Sequence, residues 1–132
     1  MEEVKISKSE NISPKGLLYD LYVLGSDYTD VQRTNMINEL NGRVVQWKLP
    51  LYEVSRERQN KYRIQTSSGN LFGANYVSTF ATLYTQNQNE AKYVESLKTG
   101  DMITIKGTIN GIAGIRSINI EPAILILNRR NK

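Results

Sequence analysis

Apolar residues recur first at helical spacing and then at every second position, and the change falls at Arg43. Ser13-Pro14 supplies an N-cap followed by proline at the first helical position. Leu17, Leu18, Leu21 and Tyr22 then share one helical face, and Gly25 ends the run. Thr29-Asp30-Val31-Gln32 is a capping box, in which Thr29 accepts from the amide three residues on while Gln32 reaches back. Met36, Ile37 and Leu40 give this second helix its apolar stripe, and Asn41-Gly42 stops it. The pair is expected to plug one end of a barrel rather than to act as a helix-turn-helix, because the positive charge lies elsewhere in the chain. Residues 1–12 are polar and aperiodic and are expected to form a loose arm.

From Arg43 onward the period is two. Val45, Trp47 and Leu49 alternate with Gln46 and Lys48 until Pro50 interrupts the ladder, and Leu51 to Val54 resume it. A proline here implies an edge or a bulge, and bulged first strands let a small barrel bend across two halves of its sheet. The charge-dense run Arg56 to Asn60 reads as a turn, and Tyr62, Ile64 and Thr66 then alternate with Lys61, Arg63 and Gln65. Ser67-Ser68-Gly69-Asn70 and Gly73-Ala74-Asn75 mark a loop. The third strand is expected from Tyr76 to Tyr84, with Val77, Thr79, Ala81 and Leu83 on one face and Phe80 and Tyr84 on the other. Glu90 to Lys98 reads as a helix, Met102 to Ile109 as strand four, Asn110-Gly111 as a hairpin turn, and Ile115 to Leu127 as strand five split by Pro122. Arg129-Arg130-Asn131-Lys132 is a basic tail.

Two helices, three strands, one helix and two strands make a mainly β chain, a five-stranded OB-fold barrel with a helix between strands 3 and 4. The 132 residues suit a single domain, with residues 13–40 helical and 41–128 forming the barrel.

Four segments carry a family resemblance: the Gly42-Arg43-Val44-Val45 opening after a short helix, Val77-Ser78-Thr79-Phe80-Ala81, the helix end Leu97-Lys98-Thr99-Gly100-Asp101, and Lys106-Gly107-Thr108-Ile109 with Ile118-Asn119-Ile120-Glu121. Over about residues 35–126 the chain resembles the bacterial tRNA-anticodon-binding-like OB-fold family. The resemblance implies nucleic-acid binding. Several members of that family are predicted periplasmic lipoproteins, and this chain, which has no lipid-attachment cysteine, would match them as a trimmed mature domain in the periplasm. With Met1 as the natural start it would instead be cytoplasmic.

The chain contains neither His nor Cys, which removes the usual general base, the thiol nucleophile and most transition-metal sites. Lys98-Thr99-Gly100 matches a β-lactamase triplet but lacks the Ser-x-x-Lys and Ser-Asp-Asn partners. Gly107, Gly111 and Gly114 are not followed by the Gly-Lys-Ser/Thr of a P-loop and are read as turn glycines. Carboxylates are scattered rather than paired. A non-catalytic protein is expected, with no cofactor and no metal, and no apolar run approaches the ~20 residues that cross a bilayer.

The net charge of +4 is unevenly placed: residues 41–68 hold six basic and two acidic side chains, and the rest of the chain holds eleven of each. OB-folds hold single strands by a basic groove along the phosphates and aromatic faces on which bases stack for ~1–3 kcal/mol each. Lys48, Arg56, Arg58, Lys61 and Arg63 are the candidate phosphate contacts, and Tyr52, Phe80 and Tyr84 the candidate stacking platforms. Trp47 and Tyr62 are assigned to the core. Two functions fit. One is binding of single-stranded nucleic acid, or another polyanion, on the face of strands 1–3. The alternative is an envelope protein-interaction domain that uses the barrel face or an exposed strand edge to hold a protein partner, a homodimer included.

Overall fold

Fifteen consecutive residues, Val44–Arg58, form one strand, β1, that two partners share. Its first half pairs antiparallel with β4 (Met102–Ala113), from Val44↔Thr108 to Pro50↔Met102. Its second half pairs antiparallel with β2 (Lys61–Thr66), from Leu51↔Thr66 to Arg58↔Lys61. β3 (Thr79–Tyr84) lies antiparallel to β2 and parallel to β5 (Ser117–Leu125), and β5 returns antiparallel to β4. The result is a closed barrel in the order β1-β2-β3-β5-β4, the OB fold, with α4 (Gln88–Ser96) between β3 and β4. Three helices precede it: α1 (Glu2–Ile6), α2 (Leu17–Tyr22) and α3 (Asp30–Leu40). The computed structural model describes residues 2–67, 75–114 and 116–127.

Strand period dictates what is inside. Val45, Trp47 and Leu49 are buried while Gln46 and Lys48 are exposed. The backbone alternates as well: Ile109 N donates to Arg43 O and Leu51 N to Asp101 O, so the odd-numbered positions of this half face β4. Val44 O accepts from Glu10 N and Pro50 O from Ser67 N, so the even-numbered positions face the other way. Pro50 therefore stands where its missing N–H removes no bond to β4. It does not interrupt the strand, but the pairing changes partner beside it, and a register shift follows between Leu51 and Glu53.

Helices close the two ends. Leu18, Leu21, Tyr22, Ile37 and Leu40 from α2 and α3 join the same core as the barrel interior. The capping box at Thr29 forms, and the Tyr22 hydroxyl donates to Arg33 O at 2.6 Å, tying the two helices together. At the other end Ala91 and Val94 of α4 enter the core, behind an N-cap in which Asn87 accepts from Glu90 N. The segment expected as a loose arm is docked. It carries α1, buries Val4 to 3% exposure, and bonds to the barrel through Glu10 N to Val44 O and the Trp47 indole N–H to Ile12 O. Val4, the partly buried Ile12, the Glu10–Arg43 pair at 3.5 Å and backbone groups hold it, at positions that share no period.

Several boundaries move. β1 continues to Arg58, so the turn shrinks to Gln59-Asn60, with Asn60 at φ 63°. β3 begins at Thr79 and α4 at Gln88. β4 runs through Asn110-Gly111, where a hairpin turn was expected. Between Ile109↔Ile120 and Ile112↔Ile118 it carries one more residue than β5, a bulge that Gly111 accommodates at φ 81°. β5 spans Ser117–Leu125 and runs through Pro122. The basic tail lies outside the described residues.

Gly107 is not a turn glycine either. It lies mid-strand, and a Cβ there would stand 2.7 Å from Pro122 O and 2.9 Å from Ala123 Cβ. β5 crosses too closely for any side chain. Gly107→Ala is accordingly expected to lower stability by about 1–3 kcal/mol, read from denaturant unfolding with an unchanged m-value. A loss under about 0.5 kcal/mol would show that β5 yields without strain.

Candidate nucleic-acid interface

On β2 the buried positions are Tyr62, Ile64 and Thr66, so Lys61, Arg63 and Gln65 project outward. Their cross-strand partners on β3 are Tyr84, Thr82 and Phe80, and paired residues share a face. Arg63 lays its guanidinium 4.8 Å from the Phe80 ring centre, and Lys61 Nζ lies 5.9 Å from that of Tyr84. Two half-buried rings, four residues and so ~13 Å apart along one strand, thus each carry a cation. Lys61 also meets Glu57 at 3.5 Å, and Arg58 stands opposite Lys61 across the hairpin turn. β5 borders the face with Asn119 beside Phe80 and Ile124 beside Tyr84.

The other expected residues are not there. Arg56 pairs with Tyr62, on the opposite parity, and turns toward the barrel end beneath α4. Its Nη1 lies 3.4 Å from Glu95 Oε2, the oxygen that accepts the Tyr62 hydroxyl at 2.5 Å. Burial, and then the Glu95 carboxylate it bonds, raise the Tyr62 pKa above its ordinary value. The Tyr62 hydrogen bond, with help from Arg56 and against some desolvation, lowers that of Glu95. Tyr52, 50% exposed, lines a hollow of about 320 Å³ on this same side with Arg56, Glu95 and Thr99. Lys48, exposed on the first half of β1, lines a separate groove of about 630 Å³ beside residues 9–15. The eight candidates therefore divide among three places instead of sharing one trough along β1–β3. Lys61, Arg63, Phe80 and Tyr84 come together, Arg58 extends them to the hairpin tip, and Lys48, Tyr52 and Arg56 lie elsewhere.

Sequence reading missed Glu95. It is 33 residues from Tyr62 and 39 from Arg56, on the outer side of a helix where a glutamate carries no local signal.

No protein-family model matches the chain, and no curated protein matches it. Solved structures do. An asparaginyl-tRNA synthetase of Entamoeba histolytica in complex with asparaginyl-adenylate is 17% identical over 66% of this chain and 21% of its own, with a TM-score of 0.44. An aspartyl-tRNA synthetase of the same organism is 13% identical over 90% of this chain and 26% of its own, with a TM-score of 0.46. The OBody AM3L15, solved bound to hen egg-white lysozyme, is 15% identical over 68% of this chain and 81% of its own, with a TM-score of 0.41. The chain spans about a fifth and about a quarter of the two synthetases' length. Likeness at this level carries no weight for what the chain binds, and the OB fold rests on the strand order and pairing given above.

The Tyr62–Glu95–Arg56 cluster sets a pH dependence. Glu95, held below its ordinary 4.5, adds stability above that pH, and the addition is lost as pH falls through the lowered folded-state value. Tyr62 is raised above 10.0, so its contribution is complete below pH 10.0 and is lost as pH rises through the raised value. Glu95→Gln is expected to flatten the acid limb of the stability profile below pH 4.5, and Tyr62→Phe the alkaline limb above pH 10.0, both measured by thermal unfolding in a buffer series. Limbs that keep the slope of the unsubstituted protein would show the cluster to be energetically silent.

Proposed function

We propose that this barrel is a non-catalytic module that binds single-stranded nucleic acid, or a comparable polyanion, across the outer face of β2 and β3 without base-specific readout. The pairing of Arg63 with Phe80 and of Lys61 with Tyr84 carries the reading. Each ring offers a stacking plane and each cation a phosphate contact, so two stations of the same composition repeat along the sheet. Arg58 supplies a third positive charge at the hairpin tip. The resemblance of the sequence to the tRNA-anticodon-binding-like family supports the same use of the fold. Glu53 and Glu57, which border the face on β1, oppose phosphate and hold the affinity to a moderate level. The absence of His and Cys from the chain favours binding over catalysis.

Fluorescence anisotropy of a labelled oligodeoxythymidylate across a salt series tests this. Three phosphate contacts correspond to a slope of log affinity on log salt of about −2. Arg63→Ala is expected to reduce that slope by about 0.7. Phe80→Ala is expected to leave the slope alone and cost about 1–3 kcal/mol of binding free energy. Affinity that is absent, or indifferent to salt, rejects the reading.

A further inference from the structure

Ile124 faces out of the barrel and is buried all the same. Tyr84 on β3 pairs with Ile124 on β5, and Ile124 with Lys106 on β4. Paired residues share a face, so Lys61, Tyr84, Ile124 and Lys106 form one row across the outside of four neighbouring strands. Ile124 is nevertheless only 6% exposed, and it does not belong to the barrel core. Val4, 3% exposed, is likewise buried outside that core. The helix that carries Val4, α1, packs against both β4 and β5, and Lys106 Nζ donates to Lys5 O at 3.1 Å. α1 thus lies over the row beside Tyr84, while Glu3, Lys5 and Ile6 of the same helix are exposed.

We infer that the outer face of β4 and β5 continues the nucleic-acid surface, and that α1 is a strap over this continuation which limits how much of a single strand the barrel holds. The inference rests on the β2–β3 reading given above. Neighbouring strands are ~4.8 Å apart, so Lys106 stands ~14 Å along the row from Lys61, with Tyr84 and Ile124 between them. With α1 docked, a strand that follows the row stops at Tyr84. With α1 lifted, Lys106 exchanges a carbonyl partner for a phosphate, and Ile124 adds an apolar surface beside the Tyr84 stacking plane. The strap has its own hinge. Residues beyond it stay anchored by Glu10 N to Val44 O and by the Trp47 indole N–H to Ile12 O, so only the segment before Ser9 has to move. Val4 and the Lys106 bond hold that segment, which places its opening at the low-cost end of local unfolding.

Binding of labelled oligodeoxythymidylate is compared between the unsubstituted chain and Val4→Asn, which removes the apolar anchor without adding charge. One further phosphate contact steepens the slope of log affinity on log salt by about 0.7, equivalent to about a fivefold gain at ~0.1 M salt. Val4→Asn is expected to show both effects, and Val4→Asn combined with Lys106→Ala to show neither. That comparison separates Lys106 from the lysines of the freed segment itself. Linkage requires the reverse effect in the unsubstituted protein, where a strand that prefers the uncovered face must favour its uncovering. Saturating oligonucleotide is therefore expected to speed hydrogen exchange of the Ser7 amide, which donates to Glu3 O within the strap, by about fivefold as followed by NMR. This second readout needs no variant, so it decides even if Val4→Asn misfolds. An oligonucleotide that fails to bind the unsubstituted protein removes the β2–β3 reading and this one with it. One that binds while Ser7 exchange, or the slope of folded Val4→Asn, stays unchanged overturns the strap alone, as does a gain that survives Lys106→Ala.

Discussion

One strand held by two partners is the constraint on which this molecule depends. β1 must bond to β4 with its first half and to β2 with its second, and a barrel of five strands closes only because one strand is long enough to do both. The handover falls at Pro50-Leu51, where Asp101 O, Gly100 N and Ser67 N all converge on two consecutive residues. Closure then imposes its own demand on β4, the strand beside β1, where β5 crosses so closely that Gly107, the partner of Val45, has no room for a side chain.

The chemistry of the surface follows from the parity of these strands. Residues one apart on a strand face opposite sides, so a run of basic residues cannot form one patch unless all have the same parity. Lys61 and Arg63 do, and β3 places Phe80 and Tyr84 beneath them. Arg56 stands opposite Tyr62 and is drawn to the carboxylate of Glu95 at the barrel end. A charge surplus concentrated in one hairpin thus becomes a cation–aromatic face on one side and an ion-paired latch on the other.

The alternation in Arg43 to Leu49 and Lys61 to Thr66, the capping box at Thr29, and the order of α2 to α4 among the five strands were all legible along the chain, because each depends on residues a few positions apart. The burial of Trp47 and Tyr62 was legible for the same reason. The docking of residues 2–12 was not, since it rests on Val4 and Ile12, which share no run of periodic residues, on a Glu10–Arg43 pair 33 residues apart, and on backbone groups. The bulge at Asn110-Gly111 imitates a hairpin turn in composition, and only the pairing of β4 with β5 on both sides of it tells the two apart.

By itself, the sequence determined which residues are apolar at which period, hence the five strands, the helix between the third and fourth, and the inward set of each. Where the hairpin's charges go was decided only in three dimensions. Direction on a strand is a local property, but neighbourhood is not. Glu95 reaches Arg56 and Tyr62, and Ile12 reaches Trp47, across separations of 33 to 39 residues, because the closure of the barrel brings them together.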